Sequence, residues 1–292
     1  MKSIYVNLKR FDIPRSLGGV NDYALTDRDW GAAIMTALNS QIAQFSAADY
    51  RFVFYLPEAY LLSAQKAKTS ASPIRIGCQG VIGEDTIDSP NIGAYTTMRP
   101  ASAMLGLGVH DTIIAHSEER AAKVAALRTV CTDEDTIQQA VHTQLESEIQ
   151  AAQRAGLDVL YCVGEAAEAR DDGSWRAVLK QQLTFDTTKV DVAKLKIAYE
   201  PIWAIGPNRP VPDGDAIQEV AAYIHEVVGR DLPVIYGGGL KEANAAAIAG
   251  LPDVDGGLIA LTNFSEHIGF YPEQFVAIVQ KYVSGVAKHE AV

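Results

Sequence analysis

Eight short apolar runs, each followed by a polar or amphipathic stretch, divide this 292-residue chain from one end to the other. The runs fall at residues 4–8, 52–56, 74–78, 112–115, 159–163, 195–199, 234–236 and 257–260. Helical signals lie between them. Residues 29–45 follow the cap candidates Thr26 and Asp27, and residues 136–155 follow Thr132-Asp133 and stop before Gly156. Residues 213–228 and 271–283 read the same way. No block consists of strands alone, so the pattern predicts an α/β fold of parallel strands with covering helices. The period by itself fits a closed (β/α)8 barrel and an open doubly wound sheet equally.

Length and composition suit one large core, and residues 1–292 read as a single domain. Lys and Arg number 25 against 36 Asp and Glu, a formal charge of −11. That balance offers nothing to nucleic acid or to an anionic membrane surface, and an anionic ligand would need local positive features. Three cysteines, Cys78, Cys131 and Cys162, are too few and too scattered for a disulfide framework or a zinc site. They read as small buried hydrophobes in a reducing compartment. Met1-Lys2-Ser3-Ile4-Tyr5 lacks the apolar run of a signal peptide, and no 18-residue apolar stretch follows. The expected location is cytoplasmic, and residues 288–292 read as a frayed tail.

The most telling segment is Ala198-Tyr199-Glu200-Pro201-Ile202-Trp203-Ala204-Ile205-Gly206. An apolar strand runs into a carboxylate, then into a stiff Pro- and Trp-bearing segment that ends in Gly. A carboxylate at the C-terminal end of a buried strand stands where ligands meet such sheets. The nonapeptide resembles the catalytic glutamate and lid loop of the triosephosphate isomerase family. Further segments match that family in order. Asn7-Leu8-Lys9 is similar to its Asn-x-Lys at the first strand, where period-2 geometry puts Asn7 and Lys9 on one face. His116-Ser117-Glu118 is similar to its His-Ser-Glu, Cys162-Val163-Gly164-Glu165 to its Cys-x-Gly-Glu, and Tyr236-Gly237-Gly238-Gly239 with 252–256 to its last two units.

The resemblance decides for a single (β/α)8 TIM barrel with parallel strands. It implies Glu200 as the base, His116 as the electrophile, Lys9 as fixed positive charge, Asn7 as a further donor and Glu118 as a polar neighbour. Neutral tuning of the histidine by a helix N-terminus is a known property of this family, taken over with the resemblance. Substrate phosphate would be held by backbone amides at Gly206, Gly238, Gly239, Ala260 and Leu261 together with a short helix N-terminus. The family reaction needs no metal and no organic cofactor. His110, His142, His225, His267 and His289 are dispersed and read as structural or surface residues.

The departures from the family gather around substrate binding. Gly239 stands where the family has a phosphate-facing serine, and Ala260-Leu261 where it has Gly-Gly. Leu there would crowd a phosphate. The far side of the lid is Gly206-Pro207-Asn208-Arg209-Pro210-Val211, whose prolines change the hinge. Arg209 is either an anion-reaching side chain or a solvated one. The loops at 11–26, 80–92 and 121–132 are longer than usual, and the second corresponds to the loop by which the family docks into a partner subunit. Thr97-Met98 replace the family's Gly-Glu.

These residues imply a cofactor-free aldose–ketose isomerase that interconverts glyceraldehyde 3-phosphate and dihydroxyacetone phosphate through an enediolate. That reaction belongs to glycolysis and gluconeogenesis. The expected partners are a small phosphorylated sugar and a second copy of the chain, with no nucleic acid and no membrane. A related isomerase of a tetrulose phosphate in sugar-alcohol catabolism is the alternative, because an altered cradle beside intact catalytic residues would look like a change of substrate. A third reading is a barrel that binds a metabolite without turnover, which loss of Glu200 or His116 would have favoured.

Overall fold

The structure is a computed structural model that describes residues 1–21, 29–87, 89–204, 212–265 and 267–290. Eight strands, β1 (Lys2–Asn7), β2 (Tyr50–Leu56), β3 (Ile74–Cys78), β4 (Asp111–Ile114), β5 (Asp158–Val163), β6 (Leu195–Tyr199), β7 (Val234–Tyr236) and β8 (Gly256–Ile259), pair in parallel with their sequence neighbours. β1 pairs with β8 through Ser3↔Gly256 to Val6↔Ile259, so the barrel is closed. Helices stand between the strands, as the alternating pattern requires.

Strand alternation separates two apolar layers. Tyr5, Val53, Tyr55, Ile113, Leu160, Cys162, Ala198, Ile235 and Leu258 fill the barrel interior. Their neighbours Ile4, Val6, Phe52, Phe54, Val159, Tyr161, Val163, Ile197 and Tyr199 join the helices in the outer core. The Tyr5 and Tyr55 rings stack inside with centroids 6.1 Å apart, and a Cβ at Gly77 would strike the Tyr55 ring. The floor of the barrel is ionic. Arg75 bridges Asp111 at 2.6 Å and Asp158 at 2.8 Å, and Lys196 adds 3.0 Å to Asp158. Asp111 and Asp158 begin β4 and β5, which is why those strands start one residue earlier than their apolar runs, and Arg75 and Lys196 stand second in β3 and β6.

The helices begin on the expected kinds of residue. Asp133 accepts from the Thr136 amide and opens the helix Glu134–Ala155, which Gly156 closes at φ 83. Asp213 caps Gly214–Val228 through the Ala216 amide. The helix Trp30–Ile42 is capped by Asp29; the expected caps Thr26 and Asp27 lie outside the described residues. The last helix runs from Pro272 to Glu290, beyond the expected end at 283.

Two expectations need correction. The segment 121–132, read as an extended loop, is helical as far as Leu127, because Ser117–Leu127 forms one helix. Its Ala-rich stretch supports helix well, and only residues 128–133 are left to turn into the next one. Cys131 is half-buried rather than part of the core, whereas Cys78 and Cys162 are buried; all three are free thiols.

Candidate active site

Asn7, the last residue of β1, continues the inward row of Ser3 and Tyr5 and is buried at the barrel mouth. The strand ends there, so Lys9 does not reach the mouth by strand periodicity. It lies at φ 43, a left-handed backbone that costs a non-glycine residue about 1–2 kcal/mol, and its amide donates to Asn7 Oδ1 at 3.0 Å. The kink aims Lys9 Nζ at Glu118 Oε1, 2.7 Å away. Burial works to raise the Glu118 carboxyl, but the hydrogen bond and charge of Lys9 outweigh it and hold the group below its usual range.

His116 follows a second strained residue, Ala115 at φ 65, whose amide donates to Glu119 Oε2 at 2.7 Å. It caps the helix Ser117–Leu127, and its Nδ1 accepts from the Glu118 amide at 3.3 Å. A nitrogen that accepts an N–H carries no proton, so the proton belongs on Nε2. That Nε2 is 3.0 Å from Glu200 Oε1.

Glu200 is the next inward position after Ala198 and is only 3% exposed. The Ser117 amide donates to its Oε2 at 2.9 Å. Burial pushes its carboxyl up, against the lowering influence of His116, the Ser117 amide and Lys9. A buried carboxylate of raised pKa beside a hydrogen-bonding imidazole is an arrangement suited to moving protons at a carbon next to a carbonyl. Five expected residues, Asn7, Lys9, His116, Glu118 and Glu200, thus meet at one end of the barrel.

The segment behind Glu200 is anchored. Tyr199, pointing outward, donates to Glu165 Oε1 at 2.9 Å, and Trp203 Nε1 donates to the same oxygen at 2.9 Å. The Arg170 guanidinium lies 5.5 Å from the Trp203 ring centroid and 5.0 Å from that of Trp175. Gly164 is required because a Cβ there would run into the carbonyl of Glu200. Cys162, buried on the inner face, has its thiol pushed up by burial and by the Glu200 charge.

The expected phosphate positions divide. Gly206, Arg209 and the prolines at 207 and 210 lie outside the described residues. Gly238 is tightly enclosed, since a Cβ there would strike the Tyr236 hydroxyl and come within 2.8 Å of the Pro201 ring. Gly239 sits at φ 93. Ala260 and Leu261 follow β8 and are half-buried. The short helix expected behind them is replaced, among the described residues, by a small hairpin. Asn263 and Gly269 exchange hydrogen bonds at 3.1 Å, and Thr262 Oγ1 receives the Tyr271 amide at 2.7 Å.

Sequence reasoning missed several residues that set this geometry. Gln79 Nε2 donates to Asn7 Oδ1 at 3.2 Å and to the Lys9 carbonyl at 3.0 Å, tying β3 to the Lys9 kink. Arg99 in turn donates to the Gln79 carbonyl at 3.1 Å. Arg120 donates to Tyr161 Oη and to the Cys162 carbonyl, both at 3.1 Å. Position at a strand end was the available signal for Gln79. A cavity of about 860 Å³ opens from Asn7, Lys9 and His116 and runs outward past Gln79, Thr97 and Met98; Glu200 does not line it. Of the dispersed histidines, His142 and His225 are buried, bonded to the Thr184 and Gly229 carbonyls, while His110, His267 and His289 are exposed. Among the described residues no group of His, Cys, Asp and Glu is placed to hold a metal ion, and no helix is long and apolar enough to cross a membrane.

The sequence model described as triosephosphate isomerase matches residues 26–282. The chain belongs to the triosephosphate isomerase family. It is 35% identical over 213 residues to the triosephosphate isomerase of Alkalilimnicola ehrlichii, covering 70% of this chain and 76% of that one. It is 30% identical over 259 residues to that of Hydrogenovibrio crunogenus, covering 85% and 92%. The crystal structure of triosephosphate isomerase from Bartonella henselae superposes with a TM-score of 0.68 over 97% of this chain and 99% of that one, at 24% identity, which speaks for the fold. Family membership fits a closed barrel that brings Asn7, Lys9, His116, Glu118 and Glu200 together at one end.

Proposed function

We propose that this chain is a cofactor-free isomerase interconverting glyceraldehyde 3-phosphate and dihydroxyacetone phosphate. The reading rests on one observation: buried Glu200 lies 3.0 Å from His116 Nε2 at the mouth of the barrel. In the reaction, the Glu200 carboxylate removes a proton from the carbon beside the substrate carbonyl. His116 gives its Nε2 proton to the carbonyl oxygen as charge builds there and takes the proton of the neighbouring hydroxyl in its place. Glu200 returns its proton to the former carbonyl carbon as the new C=O forms at the neighbouring oxygen. Lys9 and Asn7 supply positive charge and a donor close by. The altered cradle alone would also suit a tetrulose phosphate; the named relatives, which carry the triosephosphate isomerase name, favour the trioses, and the presence of both Glu200 and His116 favours turnover over binding alone.

We read residues 1–292 as one barrel domain, working in the cytoplasm in glycolysis and gluconeogenesis. A homodimer is part of the proposal. The loop after β3 exposes Ile92 almost fully, at 93%, and Met98 at 57%, and the long cavity beside the site is a groove that such a loop from a second copy could fill.

Steady-state turnover of both triose phosphates, measured beside the tetrulose phosphates, tests the reading. Triose turnover with a kcat/KM well above that for the tetruloses is expected. Preference for tetruloses, or no turnover of any, would overturn it.

A further inference from the structure

We propose that Lys241 determines specificity for the anionic end of the substrate, in place of the serine hydroxyl absent at position 239. The proposal rests on the isomerase reading and deepens it by naming a residue that recognises the phosphate. A side chain built at Gly239 meets a single atom within 4 Å, Lys241 Cε at 3.7 Å. The end of this lysine therefore borders the space that the family serine would fill.

The lysine is held in that place. Its Nζ lies 4.4 Å from the centroid of the Phe264 ring, which the hairpin after β8 presents. Its amide donates to Asn244 Oδ1 at 2.7 Å, and Asn244 Nδ2 donates to the Gly239 carbonyl at 3.1 Å, so residues 239–244 form one braced turn. Among the described residues no carboxylate pairs with the Lys241 ammonium, and both Lys241 and Phe264 are exposed. The ring covers one side of the cation and leaves its charge for an incoming anion.

The same hairpin explains why a cation is needed. The Thr262, Asn263 and Gly269 amides are spent on hydrogen bonds inside it, and no short helix follows β8 among the described residues. In a chain of net charge −11, a phosphate dianion without a full amide cradle needs a side-chain cation.

The test compares wild type with Lys241→Met, Lys241→Arg and Phe264→Ala. Two readouts are taken, kcat/KM on glyceraldehyde 3-phosphate against unphosphorylated glyceraldehyde, and binding of inorganic phosphate by ³¹P NMR titration. Lys241→Met should lower kcat/KM on the phosphorylated substrate by about tenfold or more and leave glyceraldehyde unchanged. Lys241→Arg should retain most of the preference, Phe264→Ala should lose part of it, and phosphate binding should follow the same order. An unchanged substrate ratio with unchanged phosphate binding in Lys241→Met overturns the proposal, as does wild type that does not bind phosphate. Wild type that binds phosphate through Lys241 but turns over no triose phosphate would sink the isomerase reading and leave the anion site standing.

Discussion

The backbone amide of Ser117 donates to Glu200 Oε2 at 2.9 Å, so the first turn of the helix Ser117–Leu127 holds the proposed base. With His116 Nε2 at 3.0 Å from Oε1, both carboxylate oxygens are engaged. In the proposed reaction His116 Nε2–H turns from Glu200 Oε1 to the substrate oxygen and leaves that carboxylate oxygen to take the proton. Substrate binding and the chemistry are thereby coupled through the partners of Glu200.

Replacing Glu200 by Gln keeps the size and one of the two acceptor oxygens but removes the base. The variant should lose about 10²–10⁴-fold in kcat with little change in KM. Equal turnover by wild type and variant in a steady-state assay would show that another group takes the proton.

The pH profile follows from the burial of Glu200. Its carboxyl is raised above the ordinary 4.5, and the ionised form is the active one. Activity should be full at higher pH and kcat/KM should fall as pH drops through that raised value. His116 opposes the rise, so His116→Asn should move the acid limb to still higher pH while lowering kcat. A limb that shifts downward in the variant would contradict the coupling.

Glu148, at the outer lining of the cavity, offers a test read out as stability. Lys123 contacts both Glu148, at 2.7 Å, and Glu119, at 3.2 Å. Burial, then the nearby Glu119 charge, pushes the Glu148 carboxyl up to about 8. A raised carboxyl binds its proton more tightly in the folded chain, so stability is lost as pH rises from about 4.5 toward 8, at no more than about 1.4 kcal/mol per pH unit. Glu148→Gln removes that slope. Thermal unfolding should show the variant gaining on wild type across this interval; parallel curves would refute the assignment.

Gly164→Ala would force a Cβ into the Glu200 carbonyl and within 3.3 Å of Ile202 Cγ1. The variant should lose several kcal/mol of stability or displace the base. A normal melting temperature together with normal kcat would contradict the packing described here.

Much of this was legible in the sequence. Strands buried on both sides read as plain apolar runs, and β3, β6 and β7 fall where those runs do. β4 and β5 begin on Asp111 and Asp158, charged residues that an apolar run excludes because their Arg75 partner lies far away in the chain. Glu200 and His116 stood out because each sits at a strand end in a distinctive motif. The Lys9 kink was hidden, since strand alternation predicts the same neighbour for Asn7 without a left-handed residue. The resemblance implies a loop over residues 121–127, where the family has a turn, but their alanines favour the helix that forms. The pairing of Asn263 with Gly269 has no sequence signal, because a single bridge is too short for any periodicity.

The central claim is that Glu200 moves a proton at the carbon beside the substrate carbonyl. Dihydroxyacetone phosphate incubated with the protein in D₂O and followed by ¹H NMR tests it most directly. Wild type should carry deuterium into the substrate and into glyceraldehyde 3-phosphate, and Glu200→Gln should do so at least about 10²-fold more slowly. No exchange by wild type, or equal exchange by the variant, would contradict the account.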